Sequence, residues 1–190
     1  GAKHESFHGE GREDIDALML GNGRPFVFEV KDPVKRNVNL KKLEKEINKA
    51  TKGKVEVHDL KFSDVEEMRL LKARSHDKLY DCLVECKGIT KKDLEKLEKF
   101  FKNREIAQRT PQRVLHRRAD LIRKRKIKYV ECKPASKNTF KAEILSEAGT
   151  YIKELVSGDN ERTKPSFAGI LKKLCVVKEL DVIGIQEVKE

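Results

Sequence analysis

The sequence predicts a compact α/β or α+β sandwich. Three times within the first 102 residues, a segment with the alternation of a β-strand is followed by one with helical spacing. No long linker or low-complexity tract interrupts this order. The 190 residues are also enough for one domain with a real core, or for one domain made of two similar halves.

The predicted elements of the first part of the chain come from periodicity and capping signals. Helical spacing of Leu40, Leu43 and Ile47 predicts a helix over Asn39–Ala50, and Ser63-Asp64-Val65-Glu66 matches a capping box for a second helix to about Lys72. Strands are predicted at Phe7–Glu10, Arg24–Val30 and Lys54–Phe62.

The clearest strand and the clearest helix start follow each other. Lys78–Cys86 alternates, which places Tyr80, Cys82, Val84 and Cys86 on one face. Thr90 and Asp93 form a capping-box start for a helix to about Lys102.

The last part of the chain has weaker signals. They predict a strand at Phe140–Leu145, a helix capped by Thr150, a loop over Gly158–Ser166, a helical turn at Phe167–Lys173 and a closing strand at Leu174–Ile185.

Charge indicates a polyanionic partner, because Lys and Arg exceed Asp and Glu by 43 to 32. The excess is concentrated between Arg109 and Lys128, where Asp120 is the one acid. We predict an extended, mobile projection over 104–133, anchored by Val114, Leu115, Leu121 and Ile122, that binds nucleic-acid phosphates. The basic residues assigned to RNA are Arg109, Arg113, Arg117, Arg118, Arg123, Lys124, Arg125 and Lys126.

Membrane, secretion and metal signals are weak. There is no run of eighteen apolar residues and no signal-peptide core, so we expect a cytoplasmic protein. Cys82 and Cys86 are four strand residues apart, about 13 Å, which is too far for one zinc ion. We therefore expect core cysteines and no metal site.

The candidate site is Gly11–Phe26, which combines carboxylates, arginines and a Gly21-Asn22-Gly23 turn before a strand. A loop held in this way fixes a carboxylate as a catalytic acid, base or nucleophile requires. The same residues are also compatible with a simple ion pair in a loop.

Three stretches resemble the pseudouridine synthase superfamily. Gly-Arg-Glu-Asp14 is similar to its Gly/His-Arg-Leu-Asp motif, Lys78-Leu79-Tyr80 to its Lys-x-Tyr strand, and Gly149–Lys153 to its Gly-Thr-Tyr-Ile-Arg segment. Within the superfamily the chain most resembles the catalytic domain of the archaeal and eukaryotic tRNA pseudouridine(54/55) synthases. The matching stretches are Gly11–Phe26, Thr110–Arg118 and Gly149–Ser166.

The resemblance implies an α+β fold in which two halves, 5–87 and 88–190, share a continuous, mostly antiparallel sheet with a central cleft. It also implies that the N-terminal RNA-binding region of the family, with its cysteine pairs, is absent from this chain. We therefore expect the catalytic domain alone, acting as a monomer on the T arm of tRNA.

The implied reaction isomerises uridine 54, uridine 55 or both to pseudouridine, with the target base flipped out and no cofactor or metal. Asp14 would act at ribose C1′ as nucleophile or base, and Lys153, where much of the superfamily has arginine, would keep it ionised and oriented. Tyr80 would stack on the target base and Tyr151 would line the pocket. Arg12 and Arg24 would contact phosphate or a neighbouring flipped base.

Two other functions remain open at this point. One is a non-catalytic RNA-binding module with Tyr80 as a stacking platform. The other is a metal-dependent RNA hydrolase that uses Asp14 and Glu13. Asp16 is the rival carboxylate of the loop, with a simpler role as a loop-capping acid.

Overall fold

The computed structural model of the chain describes residues 3–186, which fall into two compact units. Unit 1 contains the chain up to Glu10 together with Pro25–Arg74, and unit 2 contains Gly11–Arg24 and the chain from Ser75 onwards. This division differs from the two halves 5–87 and 88–190, which stay a prediction.

The described elements are short helices and nine strands. The strands are β1 (His4–Gly9), β2 (Leu18–Met19), β3 (Phe26–Lys31), β4 (Asp77–Cys86), β5 (Arg104–Arg109), β6 (Ile122–Pro134), β7 (Thr139–Ser146), β8 (Thr163–Lys164) and β9 (Cys175–Gln186). The helices are α1 (Leu40–Ala50), α2 (Val65–Ala73), α3 (Lys91–Phe101), α4 (Ile152–Ser157) and α5 (Phe167–Leu171), with a 3₁₀-helix at Gln112–Arg117.

Unit 1 contains a two-stranded antiparallel sheet of β1 and β3, and the helices α1 and α2. The predicted helix over Asn39–Ala50 is present as α1, and Asn39 caps it by accepting a hydrogen bond from the Lys42 N–H at 3.0 Å. The cap of α2 is Asp64, which accepts from the Glu67 N–H at 2.8 Å, so the predicted capping box beginning at Ser63 is off by one residue.

The predicted strand over Lys54–Phe62 is wrong, because this segment is irregular. The side chain of Asn48 bonds both the N–H and the C=O of Val57, at 2.8 and 2.9 Å. Asp59 has a φ of 57°, which no extended strand tolerates. Backbone groups that a strand would offer to a neighbour are thus satisfied by a side chain of α1.

Unit 2 is built on a seven-stranded sheet with the order β2-β9-β4-β7-β6-β5-β8. Only the β2–β9 pair is parallel among the described strands. A mostly antiparallel sheet with helices confirms the α+β class. The short β1–β3 sheet is separate from it, so the expected single continuous sheet does not include those two strands.

The core of unit 2 confirms the strongest local predictions. Every second residue of β4 from Tyr80 to Cys86 is buried. Thr90 and Asp93 form the predicted capping box at the start of α3, which buries Leu94, Leu97 and Phe101 in the core. Cys82 and Cys86 are buried and free, as expected for core cysteines.

The predicted projection over 104–133 is wrong for most of its length. Its two ends are β5 and β6, which pair with each other from Arg104–Ile127 to Arg109–Ile122 inside the large sheet. Only 110–121 lies outside the strands, and part of it forms the 3₁₀-helix. Of the predicted apolar anchors, Val114 is buried, whereas Leu121 and Ile122 are exposed.

The C-terminal part of unit 2 follows the prediction with three changes. The predicted loop over Gly158–Ser166 contains the two-residue strand β8, which pairs with β5. Tyr151 occupies the cap position of α4, because the Thr150 hydroxyl instead bonds the Glu147 carbonyl at 2.7 Å. The predicted closing strand is β9, and it lies inside the sheet between β2 and β4. None of the helices described is long and apolar enough to cross a bilayer.

Candidate active site

The loop that carries the carboxylates is fixed to β9. The Leu18 N–H donates to Asp181 Oδ1 at 3.1 Å, and the Asn22 side chain bonds both backbone groups of Ile185, at 3.2 and 3.3 Å. Gly21, with a φ of 68°, has no room for a Cβ, which would collide with the Ile183 carbonyl. The predicted turn therefore exists, and its glycine is required for this close approach.

Glu13 is the centre of a buried polar cluster. Its Oε1 pairs with Lys78 Nζ and, at 2.9 Å, with Arg24 Nη2. The Tyr80 hydroxyl donates to Glu13 Oε2 at 3.4 Å. Because Lys78 retains only 6% of its side-chain exposure, Glu13 supplies the negative charge that lets this lysine be buried.

Arg24 and Tyr80 are thus held within the protein. Arg24 also donates to the Gly11 carbonyl at 3.0 Å, so its predicted contact with RNA stays a prediction. Tyr80 is 2% exposed, and burial, with the Glu13 charge, raises its pKa above the ordinary value. A base can stack on this ring only if one side of it becomes uncovered when RNA binds.

Asp14 lies beside this cluster and remains accessible, with 27% of its side chain exposed. Arg113 Nη1 approaches its Oδ1 at 2.8 Å, and Lys153 Nζ lies 3.9 Å from its Oδ2. The closer cation on Asp14 is therefore Arg113, from the segment that the sequence assigned to RNA.

Lys153 pairs more closely with Asp16. Its Nζ lies 2.6 and 2.7 Å from the two carboxylate oxygens, and this hydrogen bond lowers the pKa of Asp16 below its ordinary value. The sequence assigned Lys153 to Asp14 and treated Asp16 as a loop-capping acid. The structure instead gives Lys153 two carboxylates, of which Asp16 is the nearer.

Arg113 joins Asp14 to a second acid, Glu154 of α4. Its Nε and Nη2 donate to the two carboxylate oxygens of Glu154 at 2.7 and 3.3 Å. Burial on its own would lower the pKa of Arg113, but the hydrogen bonds that its guanidinium donates to Glu154 and Asp14 raise the pKa above the ordinary value. The guanidinium is thus a permanent cation that bridges two carboxylates.

The start of α4 is held by a buried glutamine of β5. Gln108, 1% exposed, accepts from the Tyr151 N–H at 2.9 Å and donates to the Tyr151 carbonyl at 3.0 Å. Arg118 Nη1 donates to the Tyr151 hydroxyl at 3.0 Å. These bonds fix the residue before Lys153 and Glu154.

The remaining predicted RNA-binding residues are partly engaged within the protein. Arg109 pairs with Asp120 at 2.7 Å, Lys124 with Glu105 at 2.9 Å, and Arg123 donates to the Thr110 hydroxyl at 2.9 Å. Arg125 donates to the Lys124 carbonyl, whereas Arg12, Arg117 and Lys126 are exposed. Within residues 3–186, no group of three or more His, Cys, Asp or Glu is placed to hold a metal ion.

A protein-family model described as "Pus10, C-terminal" matches residues 1–186. The chain belongs to the Pus10 C-terminal family. It is 50% identical to tRNA pseudouridine synthase Pus10 of Methanocaldococcus jannaschii over 182 residues, which are 95% of this chain and 40% of that protein. It is also 50% identical to tRNA pseudouridine synthase Pus10 of Pyrococcus furiosus over 180 residues, 94% of this chain and 46% of that protein. The chain thus spans less than half the length of these Pus10 relatives.

Among solved structures, the fold resembles a chain in a crystal structure of a Cbf5-Nop10-Gar1 complex. The TM-score is 0.50 at 24% identity, and the match covers 62% of this chain and 33% of that chain. This likeness concerns the fold alone. The predicted membership of the pseudouridine synthase superfamily is confirmed by the Pus10 C-terminal match and the similar relatives.

The structure brings together residues from the three motifs that the sequence singled out. Sequence reasoning assigned no role to Lys78, Glu154 or Gln108, and it gave Glu13 one only as a metal ligand. Lys78 and Glu154 lie inside the quoted motifs, close in sequence to Tyr80 and Lys153. This proximity was the sequence signal that could have identified them as site residues. Gln108 had none, because its partners lie 43 and 55 residues away in the chain.

Proposed function

We propose that this chain is the catalytic domain of a tRNA pseudouridine synthase that isomerises uridine 54, uridine 55 or both in the T loop. The observation that carries the proposal is the environment of Asp14, an accessible carboxylate on a fixed loop with Arg113 and Lys153 beside it. Membership of the Pus10 C-terminal family and the names of the similar Pus10 proteins support the same reaction.

The reaction needs one well-placed carboxylate. The bond from ribose C1′ to N1 breaks, the uracil turns, C5 bonds to C1′, and the proton on C5 is lost while N1 gains one. Asp14 acts at the sugar, either as nucleophile at C1′ or as the base that leads to a glycal-like intermediate. The adjacent cations, Arg113 and Lys153, orient this carboxylate before the substrate arrives.

The two tyrosines serve the base of the substrate in this proposal. The Tyr80 hydroxyl donates to Glu13 Oε2, and its raised pKa means that it keeps its phenolic proton even in alkaline solution. We assign Tyr80 to stacking on the target base after its ring is uncovered. Tyr151, kept in place by Gln108, lines the same pocket.

The RNA surface of the proposal is the basic stretch from Arg109 to Lys126. Its exposed cations, with Arg12, contact phosphates of the T arm, and the target uridine is flipped out because C1′ and C5 are inaccessible in a stacked loop. Affinity should fall steeply with salt, since each phosphate contact releases counterions. A monomer suffices, as the proposed catalytic residues all come from unit 2.

The test is to map pseudouridine on an unmodified tRNA transcript after incubation with this protein, without added metal or nucleotide. We expect product at position 54, 55 or both and nowhere else in the T arm. Salt-dependent binding without product would favour the non-catalytic RNA-binding module. Chain cleavage that chelators prevent would favour the hydrolase.

A further inference from the structure

Arg113 differs from the other arginines of its segment in what it touches. Its guanidinium uses Nε and Nη2 for Glu154 and Nη1 for Asp14. Arg117, in the same 3₁₀-helix, is exposed to solvent. A side chain that only binds phosphate would not require bonds to two carboxylates. Arg113 bonds both Glu154 and Asp14, and Asp14 is the proposed catalytic residue.

Glu154 makes the position of Arg113 definite. Its side chain is 6% exposed and meets the guanidinium edge-on with both oxygens, an arrangement that fixes the plane of the group. α4, which carries Glu154, is itself held at its start by Gln108. The direction in which Nη1 points is therefore set by the protein interior.

The backbone that carries Arg113 is also anchored on both sides. The Gln112 N–H donates to Asp159 Oδ2 at 3.0 Å, and Arg162 donates to the Thr110 carbonyl at 2.7 and 3.0 Å. Next to Arg113, Val114 is 3% exposed. The backbone of Arg113 is thus held in place by its neighbours, as is required of a residue that orients a partner side chain.

We propose that Arg113 is a positioning residue for Asp14, and that it orients the catalytic carboxylate from the basic segment. Lys153 does not take over this role, because Asp16 holds its ammonium closer than Asp14 does. The inference rests on the proposed function, since Asp14 needs an orientation only if it reacts. A misplacement of about 1 Å at such a carboxylate can cost on the order of 100-fold in rate.

The experiment compares Arg113→Gln with Arg117→Gln, two variants that lose the same charge from the same short helix. Single-turnover rates of pseudouridine formation are measured at saturating enzyme, and tRNA affinity is measured separately by filter binding. We expect the two affinities to agree within about threefold, while the saturated rate of Arg113→Gln falls about 10- to 100-fold further than that of Arg117→Gln. Arg113→Lys keeps the charge but lacks the planar guanidinium that meets Glu154 with two donors, so it should recover only part of the rate.

Other outcomes would overturn the inference in distinct ways. Equal saturated rates for the two glutamine variants would mean that Arg113 is a phosphate contact like Arg117. A faster rate for Arg113→Gln would mean that Arg113 lowers the reactivity of Asp14. Thermal melts of both variants guard against a folding defect. If Arg113→Gln does not fold, the Arg113→Lys rate at full saturation decides, and a wild-type value for it refutes the positioning role. An inactive wild type under the same assay would instead refute the proposed function.

Discussion

The buried amide of Gln108 offers the sharpest test of how the site is held. Its side chain makes three hydrogen bonds, two with the backbone of Tyr151 and one with the Thr163 hydroxyl at 3.3 Å. Gln108→Leu keeps a similar volume and removes all three. The Tyr151 carbonyl keeps its bond from the Leu155 N–H, but the Tyr151 N–H loses the partner that Gln108 provides.

The expected loss of stability follows from these bonds. Three hydrogen bonds at about 1 kcal/mol each contribute about 3 kcal/mol to the free energy of unfolding. Burying the leucine side chain offsets about 1 kcal/mol of this. We therefore expect Gln108→Leu to lower the free energy of unfolding by about 2 kcal/mol, which is a shift of about 1 M in the urea midpoint at a slope of about 2 kcal/mol per M.

Tyrosine fluorescence in urea is a suitable assay, since the chain has three tyrosines and no tryptophan. Tyr80, Tyr129 and Tyr151 all belong to unit 2, so the signal reports the unfolding of that unit. Gln112→Leu is the matched control, because this exposed side chain makes a single contact of 3.4 Å with Asn160. A loss below about 0.5 kcal/mol for Gln108→Leu, no larger than that of the control, would refute the reasoning.

Three further predictions concern the core, the loop and a thiol. Leu97→Ala should cost about 2–5 kcal/mol because the side chain is fully buried in α3, while Leu174→Ala, 79% exposed, should stay within about 0.5 kcal/mol in the same denaturation experiment. The pKa of Asp16 is lowered below 3.8 in the folded protein, so the stabilisation from its pair with Lys153 is present above that pH and is lost as the pH falls through the lowered value. Lys153→Gln should raise the Asp16 pKa, which carboxyl NMR titration would measure. An unchanged titration would refute the pair. Burial raises the pKa of Cys82 to about 12, so iodoacetamide at pH 8 should modify it only after unfolding, as peptide mass mapping would show; rapid labelling in the native protein would contradict its burial.

The elements that the sequence predicted correctly are those specified by neighbouring residues. The alternation of β4 and the capping box of α3 are local signals, and both are present as predicted. The strand prediction over Lys54–Phe62 is wrong because the side chain of Asn48, nine residues away, bonds the backbone of Val57. Alternation in a sequence does not reveal such a competitor for backbone hydrogen bonds.

The site shows the same limit over longer distances. The motifs indicated which stretches carry the chemistry, but the pairing of charges within them depends on how the sheet brings the stretches together. Arg113 meets Asp14 across 99 residues, and Lys153 meets Asp16 across 137. Several arginines and lysines are close in sequence to the same basic segment, and only the fold decides which of them reaches the carboxylate.

The basic segment was mispredicted for a related reason. Its concentrated charge suggested an extended projection, yet most of it lies in β5 and β6, which pair with each other in a sheet. Ile127, between Lys126 and Lys128, is fully buried. Strand pairing of this kind satisfies the backbone of a highly charged sequence while its cations still face solvent.

The most direct measurement for the central assignment compares Asp14→Asn with Asp16→Asn. Both changes remove one negative charge from the same loop, and pseudouridine in a tRNA transcript is quantified beside tRNA affinity. We expect Asp14→Asn to form no product while it binds tRNA nearly as well as the wild type, and Asp16→Asn to remain active. An active Asp14→Asn together with an inactive Asp16→Asn would contradict the assignment of Asp14 as the catalytic carboxylate.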